Sequence, residues 1–149
     1  MPVPQEAASY TAPASTKELD ALCKRLSKMD RQTQAREIRQ LGSAPDLMLG
    51  SVNAITKEGQ LVASSATGSQ LGPFASGAGR LILVVGSQKI VKDLDEALAR
   101  IRDYVQPYED QRLREQAGIG TILARILILE RDFRPGRTTI VLVREAVGM

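Results

Sequence analysis

The chain has 149 residues, is 43% hydrophobic and 25% charged, and carries a formal net charge of +3. That is enough chain to bury one core without disulfides or a structural metal. It contains no His and one Cys, which excludes a His general base, a Ser-His triad, a His-ligated metal and a Cys-based zinc or iron–sulfur site within the chain.

The core must be aliphatic, because the chain has two Phe, three Tyr and no Trp. So few rings, with acids and bases interspersed, argue against nucleic-acid binding. The densest basic stretch is only "RDFRPGR", 131 to 137. No apolar run approaches the roughly 20 residues of a membrane span. The opening "MPVPQEAASYTAPAS" has neither a basic n-region nor an apolar h-region, so it reads as no signal peptide. Residues 1–14 read as a flexible tail, residues 15–149 as one domain, and the chain as cytoplasmic.

Ser15 and Glu18 form a capping-box pattern ahead of Leu19, Leu22, Cys23, Leu26 and Met29 at helical spacing. Cys23 lies on that apolar face and reads as a small buried hydrophobe. Asp30 caps a second, very polar helix to Leu41, with Gly42 as its stop. "DLMLGSVNAI" then reads as a buried strand, "TKEG" as a turn with Gly59 at positive φ, and "QLVASSA" as the antiparallel partner strand. A short helix over 69–78 follows, and then "RLILVVG", 80 to 86, a buried strand of five consecutive aliphatics. Asp93 caps an amphipathic helix carrying Leu94, Leu98, Ile101 and Val105, with Glu96 at the reciprocal position and Pro107 as its end. "YEDQRLREQAG" is a further polar helix closed by Gly118. "RILILE" and "TTIVLVRE" are two more buried strands, separated by too few residues for a parallel crossover. The fold class is α/β with a mixed sheet.

Two stretches follow strand ends, where ligands collect in open α/β sheets: "SSATGSQL", 64 to 71, and "VVGSQKIV", 84 to 91. Backbone N–H groups near a glycine and ahead of a helix favour an anion. Ser64, Ser65, Thr67 and Ser69 add hydroxyls, Gln70 an amide, and Lys89 a positive charge. Neither stretch matches a dinucleotide or Walker fingerprint. Small residues before a helix more usually serve turn and packing roles, and Lys89 by itself reads first as a solvated loop lysine. Asn53, polar within an apolar strand, is either a structural amide or a ligand-orienting donor. The charged faces, including Arg100, Arg102, Glu109 and Arg112, read as solvated ion-pair surfaces.

The stretch "MDRQTQAREIRQLGSAPDLMLGSVNAITKEGQLVASSATGSQL" resembles the LUD-domain family, which includes lactate-utilisation protein C. So do "VVGSQKIVKDLDEALARIRDYVQPYEDQR", "ILILERDFRPGRTTIVLVRE" and the final "VGM". The resemblance implies a NagB/RpiA/CoA-transferase-like fold, a mixed sheet with flanking helices. It also implies an accessory role beside iron–sulfur partner proteins in oxidising L-lactate to pyruvate, with the clusters in those partners and no cofactor in this chain. Methylthioribose-phosphate isomerases and DeoR-type sugar-phosphate sensors are similar more widely. The isomerases carry a carboxylate at the place of Asn53, and the sensors a Ser-x-Lys like Ser87 to Lys89. The implied ligand-binding set for a small anionic metabolite is Asn53, Ser65, Thr67, Gly68, Ser69 and Gln70, with Gly86, Gln88 and Lys89 from the second turn. No catalytic residue is assigned; an isomerase- or transferase-like enzyme and a sugar-phosphate sensor are the alternatives. The similarity begins near Glu18, so the expectation is that the family's S-x-T-L-like segment is lacking. An uncovered sheet edge then favours homo-oligomerisation or reduced stability.

Overall fold

The computed structural model describes residues 22–148. The tail 1–14, the Ser15 capping box and the Cys23 side chain lie outside the described residues. The architecture is α/β: two sheets packed face to face, one flanked by a long helix.

The first sheet is parallel, in the order β1 (Leu47–Gly50), β4 (Arg80–Gly86), β7 (Thr138–Val143). The second is mixed, in the order β5 (Ile90–Val91), β2 (Ala54–Thr56), β3 (Leu61–Ser65), β6 (Arg125–Leu129). The expected hairpin is there: β2 and β3 pair antiparallel across a turn in which Gly59 has φ +95°. The apolar run 46–55, however, is not one strand. It breaks at Ser51–Asn53, so β1 joins the parallel sheet and β2 the mixed one.

Period-two alternation explains the layering. Leu81, Leu83 and Val85 of β4 face Ile55, Leu61 and Ala63 of the mixed sheet, with Phe74 between. The opposite face of the mixed sheet presents Ala54 and Val62 to Ala97 and Ile101 of the helix. "RLILVVG" is therefore the central strand of its sheet, as its unbroken aliphatic run predicts.

Its neighbours are less buried than expected. Leu47 and Leu49 of β1 are 45% and 46% exposed, and Val141 and Leu142 of β7 are 45% and 56% exposed. Their register with Ile82 and Val84 puts Leu49 and Val141 on the side of the sheet away from the core. β6 is likewise only half-covered. An aliphatic pattern does not show how many layers cover a strand.

The helices bring three further corrections. Asp30 makes a local turn, accepting from Gln32 N–H at 2.9 Å and Thr33 Oγ1 at 2.7 Å, so α2 starts later, as Ala35–Ser43. α1 (Leu22–Leu26) precedes it, and α2 runs through Gly42 rather than stopping there. Pro107 does not end the amphipathic helix. α3 (Leu94–Arg100) passes through a π-helical turn, Ile101–Val105, directly into α4 (Gln106–Ala117). Gln106 N–H bonds the Ile101 carbonyl, five residues back. This resets the helix just before Pro107, which then sits as in a first turn, where a missing N–H is harmless. The cap itself is as expected. Asp93 Oδ1 accepts from Glu96 N–H at 3.0 Å, and Glu96 reaches one residue past the cap, to Lys92 N–H at 2.5 Å. Gly118, at φ +69°, closes α4.

Among the described residues, no helix is long and apolar enough to cross a membrane.

Candidate functional site

Because β1, β4 and β7 are parallel, their carboxyl ends gather on one side. Ser51 follows β1, the 3-10 turn Ser87–Lys89 follows β4, and residues 144–148 follow β7. Ligands of α/β sheets collect at this end.

Lys89 is no solvated loop lysine, being only 5% exposed. Its Nζ donates to Ser51 Oγ at 3.0 Å, and Ser51 Oγ donates on to the Val84 carbonyl at 2.6 Å. The stretch after β7 lies across it. Ser87 Oγ donates to the Arg144 carbonyl at 2.7 Å. Gln88 Nε2 donates to the carbonyls of Val147 at 2.9 Å and Gly148 at 3.1 Å, and Val147 N–H returns a bond to Gln88 Oε1 at 3.3 Å. The chains are so close that a Cβ on Gly86 would stand 2.6 Å from Val147 N. Gly86 is thus a close-approach position, and Gln88 clamps the C-terminal stretch.

Arg100 is the second cation here. Its Nε donates to the Asn53 carbonyl at 3.0 Å, and its guanidinium carbon stands 5.0 Å from the Tyr104 ring centroid. Its Nη2 is buried and has no hydrogen-bond partner among the described residues. Among the described residues, neither Lys89 nor Arg100 forms an ion pair. This corrects the reading of Arg100 as part of a solvated ion-pair surface; Glu109 and Arg112 do pair, at 2.5 Å. Burial, and then the Arg100 charge, hold the Lys89 pKa below the ordinary lysine value.

The "SSATGSQL" turn lines a separate cleft of about 550 Å³. Asn53, Ser65, Thr67 and Gln70 face it from one side, Gln106 and Thr121 from the helical side. Asn53 Oδ1 accepts from Ser64 N–H at 2.6 Å and from Ser64 Oγ at 3.1 Å, so it ties the hairpin as a structural amide. Among the described residues its Nδ2 makes no hydrogen bond. Gln70 Nε2 donates to the Ser64 carbonyl at 3.3 Å. Ser65 Oγ accepts from Gly68 N–H at 2.8 Å, while Thr67 Oγ1 bonds Ser69 Oγ at 3.2 Å and accepts from Ser69 N–H at 3.4 Å. Gly68 has φ +81°, and a Cβ there would lie 2.9 Å from Cδ of Arg125. Arg125 Nη1 in turn donates to the Ala66 carbonyl at 2.6 Å.

The sequence-predicted residues thus fall into two groups. Asn53, Ser65, Thr67 and Gln70 share the cleft, with Gly68 and Ser69 shaping its turn. Gly86, Gln88 and Lys89 lie at the carboxyl end of the parallel sheet, under the C-terminal stretch. The segment Ser51–Asn53 joins them, holding Lys89 through Ser51 and Arg100 through Asn53. Two cations were missed. Arg125 reaches the turn only because β3 and β6 pair with Ser65 opposite Arg125, a register no local pattern reveals. Arg100 has Glu96 four residues before it, the spacing of an ordinary helical ion pair, but that carboxylate accepts from Lys92 N–H instead, so no local pattern marks Arg100 out. A larger groove, about 740 Å³, passes Phe133 and Arg134 and holds none of the predicted residues.

The family model described as the LUD domain matches residues 7–143. The chain belongs to the LUD-domain family, whose domain is associated with lactate-utilisation proteins. No curated protein and no solved structure matches it.

Proposed function

We propose that this LUD-domain protein binds a small anionic metabolite and serves, in the cytoplasm, as an accessory subunit to iron–sulfur partner proteins that oxidise L-lactate to pyruvate. One observation carries the anion-binding part. Lys89, at the ligand end of the parallel sheet, and Arg100, close enough for its charge to bear on Lys89, form no ion pair among the described residues. A buried cation costs free energy unless an opposite charge meets it. An anion supplied from outside the chain relieves both. With one Cys and no His, the chain lacks the ligand set for a cluster, so electron transfer belongs to partners. An isomerase- or transferase-like reaction would need an acid beside Lys89, and no ion pair brings one there among the described residues.

Calorimetric titration of the full chain with L-lactate, pyruvate and a sugar phosphate tests the reading. At least one anion should bind, and Lys89→Ala should weaken it by about tenfold or more. Unchanged binding by Lys89→Ala removes Lys89 from the site, and no binding of any anion removes the reading.

A further inference from the structure

We propose that the stretch 144–148 is a lid over Lys89, latched by Gln88, and that it lifts to let an anion reach the lysine. The inference rests on the anion-binding reading above and adds the access step to it. Lys89 is 5% exposed and lines neither of the two clefts described above, so the lysine is shut off as it stands. Backbone of the stretch 144–148 lies directly against it. Gly148 passes so close that a Cβ there would stand 3.3 Å from Lys89 Nζ. Among the described residues the ammonium makes one hydrogen bond, to Ser51 Oγ, although it carries three donors. The remaining donors meet an anion only once that backbone moves.

The stretch is fastened in a way that lets it come away. It follows β7 without regular secondary structure, and its residues are exposed. Val147, its one large apolar side chain, is 43% exposed and belongs to neither core. Its hydrogen bonds to the turn after β4 come from two side chains. Ser87 Oγ holds the Arg144 carbonyl, and the Gln88 amide uses both its ends, on the Val147 and Gly148 carbonyls and on Val147 N–H. Among the described residues no backbone–backbone bond reinforces them. Exposed hydrogen bonds and few apolar contacts mark a segment that opens locally, well short of global unfolding. Gly86 completes the latch by its lack of a side chain, since a Cβ there would stand 2.6 Å from Val147 N and also against Gln88 Oε1.

Acetylation of lysines by an N-hydroxysuccinimide ester, mapped by mass spectrometry on the full chain at pH 8, reads the lid without needing a bound anion. Exposed Lys57 is the internal reference. In wild type Lys89 should react about tenfold or more slowly than Lys57, at a rate that sub-denaturing urea leaves unchanged, because local opening exposes little surface. Gln88→Ala removes the latch and Gly86→Ala crowds Val147 N; each should speed Lys89 about tenfold relative to Lys57. A Lys89 rate that climbs with urea as steeply as global unfolding, or one that neither variant raises, overturns the lid. Should one variant fail to fold by circular dichroism, the other variant and the wild-type urea series decide. Sodium L-lactate, sodium pyruvate and inorganic phosphate separate this from the underlying reading. If Lys89 opens as described but none of the three slows its acetylation, the anion-binding reading falls and the lid has nothing to admit. If the urea series fails while an anion still binds by calorimetry, the lid alone falls.

Discussion

Arg137→Lys should destabilise the protein sharply although it preserves the charge. Arg137 is 5% exposed and fixes the turn Pro73–Gly77 against the start of β7. Its Nε donates to the Ala78 carbonyl at 2.9 Å, and its Nη2 to the carbonyls of Pro73 at 2.8 Å and Phe74 at 3.1 Å. Its Nη1 meets Asp132 Oδ2 at 2.8 Å. A lysine ammonium is a single point and cannot reach both the carbonyls and the carboxylate. At least two buried acceptors lose their donor, at about 1–3 kcal/mol each, for a loss of roughly 3 kcal/mol. In a chain of this size that corresponds to a fall in Tm of about 10 °C. Thermal unfolding followed by circular dichroism at pH 7 measures it. A fall of under about 2 °C would refute the claim that the planar fork, rather than the charge, holds this corner.

Lys89→Met should do the reverse for stability. It removes a buried cation that has no ion-pair partner among the described residues, at nearly the same side-chain length, and should raise stability by about 1 kcal/mol as it abolishes anion binding; a loss of stability of similar size would show that burial is not costly there. Asp132, held down to about 2 by the Thr138 hydroxyl and Arg137, gives an acid limb to the stability curve. Its folded pKa lies below its unfolded one, so its contribution is complete above about pH 4 and is lost as pH falls through about 2. With solvent screening that is on the order of 1 kcal/mol, and Asp132→Asn should flatten this limb in acid-titrated unfolding; an unchanged limb would remove Asp132 from it. The apolar side of the parallel sheet that the described residues leave exposed, with Leu49 and Val141, should drive self-association, because all-parallel sheets are ordinarily covered on both faces. Light scattering at high concentration should show oligomers that Val141→Lys disperses, and a stable wild-type monomer would defeat that expectation.

What was legible in the sequence was local. The β2–β3 hairpin, the Asp93 cap, the Gly118 stop and the β4 strand follow from turn chemistry, capping and an unbroken aliphatic run, each decided within about ten residues. The break at Ser51–Asn53 was hidden because one apolar run served two sheets. Pro107 misled because the signal that tolerates it, a π-turn ending two residues earlier, has no residue signature of its own. The exposure of β1 and β7 depends on which layers cover them, and side-chain pattern reports only that a strand is apolar.

The candidate site divides in the same way. The Asn53 and Ser65–Gln70 turn could be located from composition and family resemblance, and it does line a cleft. Its own hydrogen bonds, invisible in sequence, occupy many of the donors that made it attractive. Arg100 was masked by sitting on an otherwise charged helix surface, where an arginine is ordinarily solvated. Only the tertiary contact with the Asn53 carbonyl, and a buried Nη2 with no hydrogen bond among the described residues, set it apart.

The titration of Lys89 tests the central claim most directly. Its side-chain resonances, followed by NMR through alkaline pH in the free protein and with saturating L-lactate, report both burial and charge pairing. The account predicts a pKa below the ordinary lysine value in the free protein, because burial and Arg100 disfavour the ammonium, and an upward move when a carboxylate arrives. An ordinary lysine titration that lactate leaves unchanged would contradict it.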